Sequence, residues 1–306
     1  MVHPVAAQNV KFERITIETQ TLTGPQFLTG KKEGKPAKIT GDLRIPSGSN
    51  DKLPAVLLVH GSGGVGANIR YWEAELNKLG IATFAINTFT GRGIVNTVSD
   101  QTQLSSYAML YDSYRALEIL ANHPRIDASR IAIMGFSKGG TSALYSSLTR
   151  FQEAYLPKGL SFAAHLPFYA PCNSIHIGDT KLTGAPVHFF HGAADNYVPI
   201  GPCKEYAARL KTAGVNVVMH EYPGAHHGFD NPALAAPRNL PSAVTGRKCS
   251  FEEKSAGVFL STKTGKPFSM NDPCIERGAT VAHSPAALAA ATKDVAAFLK
   301  EVFKLK

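Results

Sequence analysis

The segment GFSKG at 135–139 places Ser137 between two glycines, an arrangement in which serine can act as a nucleophile. A serine hydroxyl attacks a carbonyl carbon only when a neighbouring base removes its proton. Glycines on both sides leave room for a sharp turn of the backbone that exposes the hydroxyl. An apolar run at 130–135 precedes the turn, and the residues 140–144 can begin a helix. This context predicts a strand, a nucleophile turn and a helix.

Two later segments offer the base and the carboxylate that such a serine requires. Asp195 in HFFHGAADNYVP follows one apolar run, while His226 and His227 in HEYPGAHHGFD follow the next. The chain order Ser137, Asp195, His227 is that of α/β-hydrolases, whose sites lie past the carboxyl ends of their strands. We favour His227 as the base because it lies on the HGF turn, and we expect His226 to line the pocket. Asp195 could instead be an Asx-turn residue before a helix near Pro199.

Acyl transfer also needs donors for the oxyanion that develops in the transition state. We expect the backbone N–H of Lys138 to be one of them. The loop HGSGG at 60–64 can offer the N–H groups of Ser62 and Gly63. Such a glycine-rich loop could otherwise cradle a phosphate, but neither a Walker motif nor GxGxxG follows it.

Substrate-binding residues are less well defined by the sequence. Arg92, on the loop 88–94, could meet a substrate carboxylate or be a solvated loop arginine. Tyr169, Tyr197 and Phe229 lie at or beyond the ends of strand-like runs and could line a substrate pocket or belong to the core. No feature of the sequence selects a particular ester.

Short apolar runs alternate with helical patterns along most of the chain. Continuous apolar runs are typical of strands that are covered on both faces of a parallel sheet, which predicts an α/β fold. Two leading strands are predicted at 10–17 and 37–45. The later predicted strands are 54–61, 81–87, 130–135, 161–170, 185–192 and 216–222.

Helix signals fit between these strands. Tyr71 to Leu79 present one apolar face, and Gly80 is placed to end that helix. Ser284 and Pro285 supply a cap and first-turn proline for a terminal amphipathic helix. We interpret residues 1–306 as one domain, in which 231–283 is an insertion with a hairpin at 258–269.

Composition limits the possible partners. The 306 residues are 44% hydrophobic and 18% charged, and the longest apolar stretches are far shorter than a membrane-spanning helix needs. The net charge of +9 comes from scattered basic residues without a nucleic-acid motif, so a nucleic-acid partner is not expected. Histidine spacings of the HExxH type are absent, so no metal site is predicted.

The four cysteines show no CxxC spacing, which argues against zinc and dithiol redox motifs. Three pairings are possible. We predict the disulfides Cys172–Cys203 and Cys249–Cys274, which would indicate an oxidising compartment, with four free thiols as the alternative. The opening MVHPVAAQ is too short and too polar for a secretory signal, yet it could also remain after trimming, so it decides little.

The segments HGSGG, GFSKGG, HGAADNYVP and YPGAHHGFD together resemble the dienelactone hydrolase family of α/β-hydrolases. The resemblance covers roughly 54–230 and resumes at the final helix. It implies a mainly parallel eight-stranded sheet and a cofactor-free Ser-His-Asp mechanism on small-molecule esters or lactones. By motif, Ser137, Asp195 and His227 take the triad positions.

One departure from this family concerns the nucleophile. Founding dienelactone hydrolases have a cysteine where this chain has Ser137, so the resemblance implies a general serine esterase, as monomer or homodimer. The cysteines and the insertion are similar to those of exported members, which implies a periplasmic or secreted protein, with a cytoplasmic one as the alternative. A serine peptidase or amidase on the same fold, or a catalytically silent binding protein, would be the other functions.

Overall fold

The computed structural model of the protein describes residues 10–48 and 51–305. Within these residues, helices and strands alternate along most of the chain. The strands are β1 (Val10–Thr21), β2 (Lys35–Pro46), β3 (Leu53–Val59), β4 (Ala82–Asn87), β5 (Ile126–Phe136), β6 (Ala164–Phe168), β7 (Ser174–Ile175), β8 (Val187–Gly192), β9 (Val217–Tyr222), β10 (Arg238–Thr245), β11 (Phe251–Ser255), β12 (Val258–Ser261) and β13 (Glu276–Val281). The α-helices are α1 (Gly24–Leu28), α2 (Ala67–Lys78), α3 (Ser106–Ala121), α4 (Lys138–Tyr145), α5 (Thr149–Tyr155), α6 (Gly201–Thr212) and α7 (Pro285–Phe303).

Eight of the strands form one sheet in the order β1-β2-β4-β3-β5-β6-β8-β9. The β1–β2 and β2–β4 pairs are antiparallel, and the other pairs in this sheet are parallel. The predicted mainly parallel eight-stranded sheet is therefore confirmed. Because the parallel strands run the same way, the loops after β3, β5, β8 and β9 emerge at one edge, where α/β proteins hold their sites.

Consecutive residues of β3 enter two different hydrophobic clusters on opposite faces of the sheet. Ala55, Leu57 and Val59 belong to one cluster, whereas Val56 and Leu58 belong to the other, and all are fully buried. Helix α3 contributes to the first cluster, and α2 and α7 contribute to the second. This two-sided burial explains why the strand reads as a continuous apolar run rather than an alternating one.

The helix boundaries follow the signals in the sequence. Helix α2 ends just before Gly80, whose φ of 76° is the left-handed conformation that glycine adopts most easily. The Ser284 hydroxyl accepts a hydrogen bond of 3.3 Å from the N–H of Ala287, and Pro285 occupies the first turn of α7.

The segment 231–283 contains its own small pairings outside the large sheet. Strand β10 pairs with β13, and β11 pairs with β12 and with the short β7. At the predicted hairpin the chain folds back along β12, since Phe268 N–H bonds to Phe259 O at 2.9 Å, although the returning arm is not a regular strand. The interpretation of 231–283 as an insertion in a single domain stays a prediction.

Both predicted disulfides are formed, Cys172–Cys203 and Cys249–Cys274. The alternative of four free thiols is therefore wrong. Among the described residues, no helix combines the length and the apolar character needed to cross a membrane.

The disulfide between Cys249 and Cys274 should contribute substantially to stability, because it closes a loop with a sequence separation of 25. Replacing both cysteines by serine should lower the free energy of unfolding by about 3 kcal/mol. Urea unfolding of the wild type and the double variant, followed by circular dichroism, measures this difference. Equal unfolding midpoints and slopes would contradict the expectation.

Candidate active site

Ser137 lies on the turn between β5 and α4, with φ 53° and ψ −115°. Positive φ is uncommon for a residue with a side chain, and such strain tends to concentrate at functional sites. The N–H of Ser137 is held by Phe168 O on the adjacent strand β6 at 2.9 Å. Sheet pairing thus fixes the backbone of the turn.

Glycines on either side of Ser137 make this turn possible. A Cβ on Gly135 would lie 2.0 Å from Gly139 O, and one on Gly139 would lie 2.2 Å from Val59 O. A Cβ on Gly140 would approach Phe168 O at 2.8 Å. Helix α4 therefore begins in direct backbone contact with β3, β5 and β6, which only glycine allows.

His227, on the loop after β9, meets both predicted partners. Its Nε2 lies 2.9 Å from Ser137 Oγ, and its Nδ1 lies 2.7 Å from Asp195 Oδ2. The rings of Tyr169 and Tyr197 pack against the imidazole, with their centroids 4.6 and 4.8 Å from its centroid. The structure therefore brings the three predicted side chains into one hydrogen-bonded chain.

Asp195 serves two structural purposes at once. Its Oδ1 accepts hydrogen bonds from the N–H groups of Tyr197 at 2.9 Å and Val198 at 2.8 Å, which is the Asx turn considered from the sequence. Its Oδ2 contacts His227, so the two interpretations of this residue are compatible. Burial opposes ionisation, but the interactions with His227 and His191 outweigh it, so the pKa of Asp195 is lowered.

Sequence reasoning missed two residues that support this arrangement. His191 Nε2 bonds to Val198 O at 2.7 Å and lies 3.6 Å from Asp195 Oδ2. The fully buried Asp230 accepts hydrogen bonds from Trp72 Nε1 at 2.9 Å and Tyr169 Oη at 2.7 Å. Burial raises the pKa of Asp230. An aspartate is seldom fully buried without a partner, but nothing in the HGFD segment marks Asp230 as buried.

The glycine-rich loop at 60–64 runs beside Ser137. A Cβ on Gly61 would lie 3.0 Å from Phe136 O and 3.3 Å from Ser137 Cβ. Ser62 lines the same cavity as Ser137 and Lys138, whereas Gly63 lines a separate hollow. The N–H of Lys138, as the first residue of α4, has no acceptor within its helix.

The Lys138 side chain forms a link that the sequence did not predict. Its Nζ donates to Gln101 O at 3.0 Å and to Gln101 Oε1 at 3.2 Å. The amide of Gln101 also donates to Ser62 Oγ at 3.1 Å. Gln101 therefore connects the glycine-rich loop to the start of α4. Its position on a polar loop gave no signal of this role.

A cavity of about 250 Å³ opens beside Ser137. Of the five residues predicted to bind substrate, Tyr197 lines this cavity. The cavity is also lined by Ser62, Gln101, Leu104, Ser105, Ser106, Lys138, Pro171, Cys172, Asn173, Val198, Pro199, Pro202, Val244, Thr245, Gly246, Arg247, Phe251, Phe268, Met270 and Ile275.

The four other predicted substrate-binding residues do not line this cavity. The side chain of Arg92 is only 5% exposed, and its guanidinium binds both carboxylate oxygens of Asp112 at 2.7 and 2.9 Å. Phe229 is fully buried in the core. The hydroxyl of Tyr169 is committed to Asp230, and His226 lies half-buried outside the cavity lining.

Comparison with known proteins supplies a family for the fold and site described above. Residues 39–252, more than half of the chain, match the model of the dienelactone hydrolase family. A Methylorubrum extorquens protein, whose curated name assigns it to the carboxymethylenebutenolidases, is 24% identical over 238 residues, covering 74% of this chain and 78% of that protein.

Two solved structures share the fold. A dienelactone hydrolase-like promiscuous phosphotriesterase from metagenomic libraries is 17% identical, with a TM-score of 0.60 over 95% of this chain and 98% of that one. A thermophilic esterase from Thermogutta terrifontis is 20% identical, with a TM-score of 0.51 over 63% of this chain and 79% of that one.

The environment of Lys138 leads to a pH-dependent prediction. Burial lowers the pKa of Lys138 to about 8, against a weaker opposing attraction to Asp100. The unfolded chain keeps the ordinary lysine pKa of about 10.4. Between the folded and unfolded pKa values, the unfolded chain therefore binds more protons than the folded chain. The destabilising effect of burying this ammonium is therefore lost as the pH rises. The free energy of unfolding of the wild type, relative to Lys138→Met, should therefore increase by about 2 to 3 kcal/mol from pH 7 to pH 10.

Urea unfolding at several pH values measures this difference. Lys293→Met removes an exposed lysine of α7 and serves as the control, for which the difference from the wild type should stay flat. A Lys138→Met difference that is equally flat would contradict the predicted cost of burying the ammonium.

Proposed function

The chain belongs to the dienelactone hydrolase family, and we propose that it cleaves carboxylic esters or lactones through an acyl-enzyme on Ser137. Family membership makes it a hydrolase. The observation that carries the proposal is the hydrogen-bonded chain from Ser137 Oγ through both nitrogens of His227 to Asp195, with distances of 2.9 and 2.7 Å. A hydroxyl, an imidazole and a carboxylate in this order are the parts of a serine nucleophile and its base.

In the first half of the reaction, Nε2 of His227 takes the proton of Ser137 as Oγ attacks the carbonyl carbon. The tetrahedral intermediate then collapses, the bond to the leaving oxygen breaks, and His227 gives that oxygen its proton. In the second half, His227 takes a proton from water, and the resulting hydroxide attacks the acyl carbon. Ser137 leaves with the proton from His227, and the acid is released. For a lactone, acid and alcohol are one molecule.

Asp195 would keep His227 in the productive tautomer and stabilise the imidazolium that forms during each proton transfer. Two backbone N–H groups on Asp195 Oδ1 hold that carboxylate still, which supports this role. The oxyanion would be met by the backbone N–H of Lys138 and that of Ser62. Gly63 is a weaker candidate because it lines a different hollow.

The two disulfides indicate an oxidising compartment. On this basis we propose that the protein acts in the periplasm or outside the cell. Cys172 and Cys249 lie on segments that surround the cavity, so the two cross-links would help to preserve the shape of the site. A compartment without cytosolic reductants would keep these cross-links intact.

Ser137→Ala tests the proposed function directly. The variant removes the nucleophile without adding bulk, so kcat on nitrophenyl esters should fall by about four orders of magnitude or more while the fold persists. Release of nitrophenolate measures the rate, and circular dichroism verifies folding.

Ser142→Ala is the matched control. Ser142 lies on α4, the helix that follows Ser137, is fully buried, and its hydroxyl has no hydrogen-bond partner among the described residues. This control should keep nearly full activity. Retention of activity by folded Ser137→Ala would refute the acyl-enzyme proposal.

A further inference from the structure

One side of the cavity beside Ser137 is built by the segment 244–275. We call its apolar lining residues the insertion wall: Val244, Phe251, Phe268, Met270 and Ile275. The family model ends at residue 252, so most of this wall lies beyond the residues that match it. The loops after β5 and β8 contribute Ser137, Tyr197 and Val198 to the same cavity. The catalytic serine and the wall therefore face the same space.

The insertion wall has a small core of its own. Phe251 and Phe268 pack with ring centroids 4.1 Å apart, and the disulfide Cys249–Cys274 lies in the same cluster. Phe251 is buried, whereas Phe268 and Met270 are half-buried. Part of the Phe268 side chain and part of the Met270 side chain are therefore left to meet a ligand.

The wall is tied to three loops at the rim of the site. Val244 N–H bonds to Val98 O at 3.0 Å, and Phe251 N–H bonds to Asn173 O at 2.9 Å. The hydroxyl of Thr245 bonds to Tyr197 O at 2.7 Å. These bonds fix the wall relative to Ser137, so the shape of the cavity exists before a ligand enters.

The cationic side chains that line the cavity already have hydrogen-bond partners. Arg247 Nε bonds to Glu276 at 2.7 Å, and its Nη1 bonds to the carbonyl oxygens of Asn196 and Gly278 at 2.9 Å. Lys138 donates to Gln101. Arg92, considered from the sequence for a substrate carboxylate, is paired with Asp112 outside the cavity. A charged substrate group would have to compete for these donors.

We propose that the insertion wall selects esters that carry an uncharged, apolar group of about the size of a phenyl ring with a short linker. The proposal rests on the function proposed above and names its substrate class. A dry apolar cavity of about 150 Å³ holds benzene, so the 250 Å³ beside Ser137 has room for a ring and its linker. Burial of such a group against the wall would contribute the transition-state binding that a small or charged ester lacks.

Four methyl or acetyl esters test this class by titration of the released acid. They are methyl acetate, methyl phenylpropanoate with the ring on the acyl side, phenylpropyl acetate with the ring on the alcohol side, and methyl hydrogen succinate with a charge. We expect kcat/KM for at least one phenyl ester to exceed that for methyl acetate by tenfold or more. Methyl hydrogen succinate should have the lowest kcat/KM of the four. Phe268→Ala should reduce the phenyl advantage about tenfold.

Val258→Ala is the matched control for Phe268→Ala. Val258 belongs to the same segment, is 42% exposed and does not line the cavity, so the ratio between esters should be unchanged. Circular dichroism verifies that both variants fold. An equal loss of the phenyl advantage in Val258→Ala, or none in folded Phe268→Ala, would overturn the role of the wall.

Binding of the phenyl esters to the Ser137→Ala background, measured by calorimetry, separates the two proposals. The proposed substrate class is overturned if all four esters are hydrolysed without a phenyl preference, or if methyl hydrogen succinate is preferred. Either outcome leaves the esterase function intact. Absence of any hydrolysis by the wild type ends the esterase function. In that case, phenyl-ester binding that weakens when Phe268→Ala is added to Ser137→Ala still supports the wall as the binding surface.

Discussion

The close approach of helix α4 to the central strands is the constraint on which the site depends. Gly139 lies where a Cβ would meet Val59 O at 2.2 Å, and Gly135 lies where one would meet Gly139 O at 2.0 Å. Ser137 lies between these two glycines and has a φ of 53°. A bulkier residue at either glycine would push the helix away from the sheet. The Ser137 hydroxyl would then no longer lie within hydrogen-bond distance of His227.

The remaining parts of the site converge because parallel strands end at one edge. Asp195 follows β8 and His227 follows β9, so the sheet itself sets their separation from Ser137. The Asx turn at Asp195 then orients its carboxylate, and the rings of Tyr169 and Tyr197 restrict the imidazole. The site is thus rigid where the chemistry would occur, while the cavity is completed by a segment from outside the large sheet.

The sequence predicts the features that local pattern determines. Continuous apolar runs located the strands, and Gly80, Ser284 and Pro285 marked helix ends, because each signal acts within a few residues. The positions of Ser137, Asp195 and His227 followed from strand order and motif. They meet in the structure as expected from those motifs.

Features that depend on distant partners could not be predicted. Arg92 was considered for the substrate because its loop is near the site, but Asp112, twenty positions away on α3, binds its guanidinium. Gln101 gave no signal because its contacts with Ser62 and Lys138 arise only when separate loops come together. Phe229 was considered for the pocket because it is aromatic and follows a strand-like run. In the structure it belongs to the same buried cluster as the apolar residues of α7.

Labelling with a fluorophosphonate, followed by peptide mapping, tests the central claim most directly, because the probe reacts with a serine only when a base activates it. The account predicts one label per chain, on Ser137, with labelling slowed by orders of magnitude in His227→Ala and absent after denaturation. A label on a different residue, or undiminished labelling without His227, would contradict it.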